Sequence, residues 1–209
     1  MNNKILLLIV FVLLCSAQLY FPAKVVFDHQ RVLDQGTLWK FNCVPIDPND
    51  PFRGKYITLR FADDSFTSQD TIKYERDETV YASLQKDSLG YAKVSKIQRT
   101  APSSGDYLTT TVSYTSKNSR REKDSMTTTV NLNFPFDRFY MEESKAKPAE
   151  SAYRDVSRQV RKGENASVYA MVKLLEGAAV LEDVMVNDIP IKKYVEQELQ
   201  ESADEPSSD

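Results

Sequence analysis

The sequence predicts an α+β protein: a predominantly antiparallel β sheet or open barrel with one packed helix, preceded by a single N-terminal transmembrane helix. Three observations support this. Residues 5–21 are almost wholly apolar, residues after Gly36 alternate between apolar and polar with many Thr, Val and Tyr, and residues 147–162 carry apolar side chains at helical spacing. The 209 residues suit one main domain with additional segments.

The N-terminal segment reads ILLLIVFVLLCSAQLYF over residues 5–21. Nineteen residues without charge separate Lys4 from Lys24, close to the roughly 20 that a membrane-spanning helix needs. No polar stripe interrupts residues 5–14, as one would in a surface helix of a soluble domain. We therefore expect a signal anchor over residues 1–24, followed by a juxtamembrane helix or linker over residues 25–36.

Three fates of this segment remain open. It can stay as a permanent anchor with Tyr20 and Phe21 at the outer interface, or be cleaved near the small residues 15–17. Lipidation of Cys15 is a weaker option because Leu14, before it, is not small. All three place the remainder outside the cytoplasm, so we expect a single-pass cell-membrane protein with a periplasmic domain.

The domain itself is expected over residues 37–191, with Gly36 ending the N-terminal helix. Alternation predicts strands at residues 38–44, 56–61, 79–84, 91–97, 108–114, 126–132, 168–174 and 178–186. A charged hairpin tip is expected over residues 117–124.

One helix is predicted within the domain, and a polar segment after it. Pro148 suits a first helical turn, and Tyr153, Val156 and Val160 form one apolar stripe. Residues 192–209 are expected to be an acidic tail, helical to about residue 200 and partly disordered beyond it.

Composition excludes several function classes. A net charge of −3 gives no basic footprint for nucleic acid. With one histidine, His29, and two cysteines, a zinc site is not expected, and we expect no metal or cofactor. Cys43 is expected to be a small buried hydrophobe without a disulfide partner. Phosphate-loop, GxSxG and HExxH motifs do not occur in the sequence.

The most distinctive stretch is VPIDPNDPFRGKYITLRF at residues 44–61. Its three prolines restrict the backbone, while Asp47 and Asp50 can hold turns by accepting N–H groups. Arg53 can pair with either carboxylate, and Gly54 gives conformational freedom just before a strand. These residues predict a stiff loop that leads into a strand.

This stretch resembles the GDYXXLXY family of bacterial membrane-anchored proteins, which carry a Pro- and Asp-rich run ending in Phe-Arg-Gly before the motif. The motif positions are residues 54–61 here, with Lys55 in place of Asp and Phe61 in place of Tyr. The resemblance extends over roughly residues 5–191, with a second block at 137–143 and a closing hairpin at 177–189. It implies an uncharacterised function and a multi-pass membrane protein as partner.

The resemblance and the loop chemistry together suggest one site. Two interpretations remain open: a structural ion-pair network that pins the loop to the sheet, which we favour, and a cleft that binds a partner or a small ligand. The residues concerned are Asp47, Asp50, Arg53, Gly54, Tyr56, Arg138, Tyr140 and Glu142. No catalytic or metal-binding residue is assigned.

Non-catalytic binding of an envelope protein or small ligand is therefore the favoured hypothesis. The alternative is a hydrolase of unrecognised type, because residues 54–59, followed by a strand with Lys93 and Lys96, faintly resemble signal-peptidase-like β domains. Such chemistry needs a serine that residues 37–61 do not supply. A third possibility is a structural spacer with no cleft.

Overall fold

A computed structural model describes residues 3–44, 56–68, 73–119, 126–142, 148–149, 156, 159 and 167–204. Two helices are bounded, α1 (Asn3–Gln35) and α2 (Ile191–Asp204). The strands are β1 (Thr37–Val44), β2 (Tyr56–Thr58), β3 (Arg60–Phe61), β4 (Ser65–Ser68), β5 (Thr79–Lys86), β6 (Ala92–Gln98), β7 (Tyr107–Ser119), β8 (Met126–Asn133), β9 (Arg138–Tyr140), β10 (Val168–Leu175), β11 (Ala178–Val186) and β12 (Ile189–Pro190).

The strands form two five-stranded sheets, β12-β11-β10-β1-β3 and β4-β8-β7-β5-β6, and a two-stranded ladder, β2-β9. Pairing within each sheet is antiparallel. Two isolated parallel bridges, Lys40 with Tyr91 and Leu108 with Gly177, join the large sheets to each other. The outcome is a nearly closed, barrel-like sheet, which confirms the predicted fold class.

The core lies between the sheets and follows the predicted alternation. The inward positions of β10, which are Val168, Ala170, Val172 and Leu174, are all buried. An aromatic cluster of Phe41, Phe61, Phe134 and Phe136 fills one end, with ring centroids 5.0–5.9 Å apart. Cys43 is buried and unpaired beside them, as expected of a small hydrophobic residue.

Strand β7 departs from strict alternation. Leu108, Thr110 and Val112 face the core as predicted, whereas Tyr114, expected on the same face, is 59% exposed. The register shifts between Val112, which pairs with Leu132, and Tyr114, which pairs with Asn131. Ser113 is therefore the extra residue of a β-bulge, and such a bulge turns the following side chains to the other face.

Helix α1 runs for 33 residues without a break at Pro22, and its most apolar window has a mean hydropathy of 2.4. By length and composition it can cross a membrane. The helix ends at Gln35, and the Gly36 amide donates to the Val32 carbonyl at 2.9 Å. Because Val32 is buried, the last turn of α1 is packed against the domain.

The two segments near the C-terminus that were predicted to be helical are helical where the structure describes them. All four described residues of the expected helix, which are Pro148, Ala149, Val156 and Gln159, are helical. Helix α2 extends to Asp204, beyond the expected end near residue 200. Ile191 and Val195 are fully buried. They lie one turn apart on the same side of α2, so this side packs the start of the helix against the core.

Candidate functional site

The structure brings together three of the predicted site residues. Strands β2 and β9 pair antiparallel, with Tyr56 opposite Tyr140 and Thr58 opposite Arg138. The first residues of these strands, Tyr56 and Arg138, are 82 positions apart in the sequence, yet the strands form one short ladder. The predicted site residues Asp47, Asp50, Arg53 and Gly54 lie outside the described residues.

Tyr56, Arg138 and Tyr140 form what we call the Tyr–Arg face. The two tyrosine rings lie 5.4 Å apart at 56°, and the Arg138 guanidinium carbon lies 5.1 Å from the Tyr56 ring centroid. Hydrogen bonding to the Tyr140 side chain, with the nearby Tyr56 and Asp137, raises the pKa of Arg138 above its usual value. The cation therefore stays charged, and it is held by stacking while remaining at the surface.

The opposite side of this ladder belongs to the core. Ile57 and Phe139 are buried, and the Lys192 ammonium at the start of α2 lies 5.5 Å from the Phe139 ring centroid. The Leu59 amide donates to the Asp137 carbonyl at 2.7 Å, which continues the pairing beyond Thr58. The ladder is thus fixed from beneath, so the Tyr–Arg face is preorganised.

Glu142, the last predicted site residue, is exposed and follows β9 by two positions. It makes an interaction within the protein. Glu142 therefore lies near the end of the Tyr–Arg face but is not one of the three stacked side chains.

A polar cleft of about 590 Å³ adjoins the Tyr–Arg face at Thr58. Burial raises the pKa of the half-buried Asp64, and the positive charge of Arg60 partly opposes that rise. The polar side chains that line the cleft belong to Thr58, Arg60, Asp64, Ser113, Tyr114, Asn131, Asn133 and Asp137.

At least half of these eight polar side chains make no hydrogen bond among the described residues. Among the described residues, the side chains of Arg60, Ser113, Asn131 and Asn133 make no hydrogen bond or ion pair. Sequence reasoning missed them, although the alternation around buried Leu132 already placed Asn131 and Asn133 on the outward face of β8.

A family model described as "GDYXXLXY protein" matches residues 18–184. The chain belongs to the GDYXXLXY family. No curated protein and no solved structure matches the chain.

The GDYXXLXY motif divides between surface and core. Its first two positions, Gly54 and Lys55, lie outside the described residues, and Tyr56 stands in the Tyr–Arg face. Leu59 and Phe61, at the later named positions, are 2% and 6% exposed. Tyr56 is therefore the described motif residue that reaches the surface.

The cleft has few titratable side chains. No group of three His, Cys, Asp or Glu side chains that could hold a metal occurs in the described part of the chain. Arg60, Asp64, Tyr114 and Asp137 are the cleft's titratable side chains, and no hydrogen bond joins any two of them within that part. Lys93 and Lys96, considered for a hydrolase, are exposed on β6 and do not line the cleft.

Proposed function

We propose that this protein is a membrane-anchored, extracytoplasmic binding domain that is not an enzyme and that recognises an envelope protein or a small ligand. The observation that carries the proposal is the Tyr–Arg face. Exposed tyrosine and arginine side chains on a rigid support are the groups that dominate protein recognition energetically. Tyr140 is 63% exposed and has the Arg138 cation beside it.

Membrane anchoring is supported by α1. Its apolar side chains between Ile5 and Leu14 are exposed, because no part of the domain covers them. Strand β1 starts one residue after Gly36, so the domain is tied closely to the end of the helix. In sealed membrane vesicles of known orientation, protease should digest the domain only when the extracytoplasmic side is accessible. Digestion from the cytoplasmic side would refute the orientation.

The partner hypothesis predicts that binding depends on Arg138. We expect a photo-crosslinker placed at Tyr140 in the full chain to capture a multi-pass membrane protein in native membranes. Arg138→Ala should reduce capture about tenfold or more, the loss typical of a central interface arginine.

Arg76→Ala is the matched control, because Arg76 is an exposed arginine in the turn before β5. It should leave capture unchanged. Equal capture by the Arg138→Ala and wild-type chains would refute a role for the Tyr–Arg face. Arg138 is itself exposed, so its loss is not expected to unfold the domain.

A further inference from the structure

We propose that the polar cleft binds an oligosaccharide, with the Tyr114 ring stacked on a sugar face and Asn131 and Asn133 hydrogen-bonded to its hydroxyl groups. This inference rests on the proposed function, since it names one ligand class for the site beside the Tyr–Arg face. It is independent of whether a membrane protein docks on that face.

The bulge in β7 exposes an aromatic ring beside the cleft. Without the extra residue Ser113, alternation would point Tyr114 into the core, where Val112 and Leu132 already pack. The bulge instead leaves a large aromatic ring 59% exposed at the edge of the cleft. Bulges recur beside functional sites, where they re-aim a side chain. A flat ring presented in this way can stack on the apolar face of a sugar ring.

The cleft offers both hydrogen-bond donors and hydrogen-bond acceptors. Asparagine amides and a serine hydroxyl both donate and accept, and Asp64 and Asp137 add carboxylate acceptors. Sugar hydroxyl groups also both donate and accept, so they can satisfy such a set. Asn131 lies directly opposite Tyr114 across the β7–β8 ladder, which places an amide beside the stacking ring.

The cleft carries charged side chains of both signs. Arg60 faces two acids in the cleft, Asp64 and Asp137, and Asp137 also lies 3.9 Å from the Arg138 guanidinium. Because these charges nearly balance, the cleft has no strong excess of positive or negative charge that would attract an anion or a cation. A neutral ligand rich in hydroxyl groups fits this balance better than a phosphate, an acidic peptide or a metal ion.

The cleft has the size and shape of a small-ligand site. The cleft volume of about 590 Å³ lies within the roughly 300–1,000 Å³ of typical small-ligand sites. Its floor includes the buried residues Leu59, Phe61, Leu132 and Phe134, so the polar groups stand on a packed base. A concave site with an apolar floor and convergent polar groups is the usual form of a ligand site.

The test is a screen of the full chain on an array of immobilised oligosaccharides. The array carries neutral, amino and acidic sugars, including peptidoglycan fragments, together with an acidic peptide. The protein should be kept in an amine-oxide detergent, because a sugar-headed detergent would compete for the cleft. Affinity for any glycan that binds is then measured by titration for each variant.

We expect at least one neutral or amino glycan to bind, and Tyr114→Ala and Asn131→Ala each to weaken it about tenfold. Tyr114→Phe retains the ring and should lose much less. Leu89→Ala is the control, because Leu89 is 78% exposed at the β5–β6 turn and does not line the cleft. It should bind like wild type.

Two results would overturn the proposal: no glycan binds, or the Tyr114→Ala and Asn131→Ala chains bind as well as wild type while remaining folded by circular dichroism. Binding of the acidic peptide alone would also overturn it. Because the crosslinking at Tyr140 uses a different surface, a negative array leaves the partner experiment decisive by itself.

Discussion

Replacing Gly177 with alanine should destabilise the protein more than the same change at another glycine with a similar backbone. Gly177 has a φ of +85° and precedes β11, where it forms a parallel bridge with Leu108. Its carbonyl accepts a hydrogen bond from the Thr109 amide at 2.8 Å. Among the described residues, Gly177 therefore lies at one of the two isolated bridges between the large sheets.

The magnitude has two parts. A residue with a side chain at this φ costs roughly 1–2 kcal/mol relative to glycine. A Cβ atom on Gly177 would also lie 2.5 Å from Thr109 Oγ1 and 2.5 Å from Tyr107 Cε2, so both side chains must move. Such overpacking costs about 1–3 kcal/mol. The two parts together predict a loss of roughly 2–5 kcal/mol of unfolding free energy.

Gly105→Ala separates the two parts. Gly105 has a φ of +82°, but a Cβ atom there would meet nothing within 4 Å. Only the backbone cost of about 1–2 kcal/mol is expected for it. Urea unfolding of both variants, followed by the fluorescence of the buried Trp39, measures the difference. Equal losses would show that Tyr107 and Thr109 move aside freely and that this sheet contact is not tightly packed.

Two further predictions concern buried polar groups. Burial raises the pKa of Cys43 from 9.0 to about 12 in the folded protein. As the pH rises, the thiol therefore ionises in the unfolded chain before it does so in the folded protein. The free energy of unfolding should then fall by roughly 1.4 kcal/mol per pH unit between these two values. Below pH 9 this loss is absent. Urea unfolding at pH 8, 10 and 11 should show that the free energy of unfolding falls less steeply with pH in Cys43→Ala than in the wild type. The same pH dependence in both proteins would contradict the prediction. Asp106→Ala should cost about 1–3 kcal/mol, because the Trp39 indole N–H, 2.9 Å from the Asp106 carboxylate, loses its acceptor. Asp106→Asn retains an acceptor and should cost less in the same assay, so equal costs would refute the role of this bond.

Most strands were predictable because their alternation reflects one buried face. The bounds of β11, residues 178–186, agree with the prediction, and the hairpin of β5 and β6 differs by only a few residues. Strand β4 was missed because its four residues, SFTS, are too short and too polar for a periodic signal. The bulge at Ser113 was also missed. It lies after Leu108, Thr110 and Val112, and one inserted residue does not change the apolar pattern that precedes it.

The site was predictable only in part. Tyr56, Arg138 and Tyr140 were named through the family resemblance, and their contact depends on a pairing between distant strands that periodicity does not reveal. The cleft was missed because asparagine and serine at outward positions look like ordinary solvated residues in sequence. Only the tertiary structure shows that Asn131 and Asn133 lie in a concavity with Tyr114.

The motif that defines the family is best understood as a junction between core and surface. The motif segment is anchored in the core by its buried side chains, Ile57, Leu59 and Phe61. The side chains that alternate with them must face outward; these are Tyr56, Thr58 and Arg60. Tyr56 then meets Arg138 and Tyr140, while Thr58 and Arg60 enter the cleft. A substitution at Leu59 or Phe61 would therefore disturb both surfaces by releasing their common support. A substitution at Tyr56 should affect the Tyr–Arg face while the aromatic cluster around Phe61 stays packed, which separates recognition from folding within a single short segment.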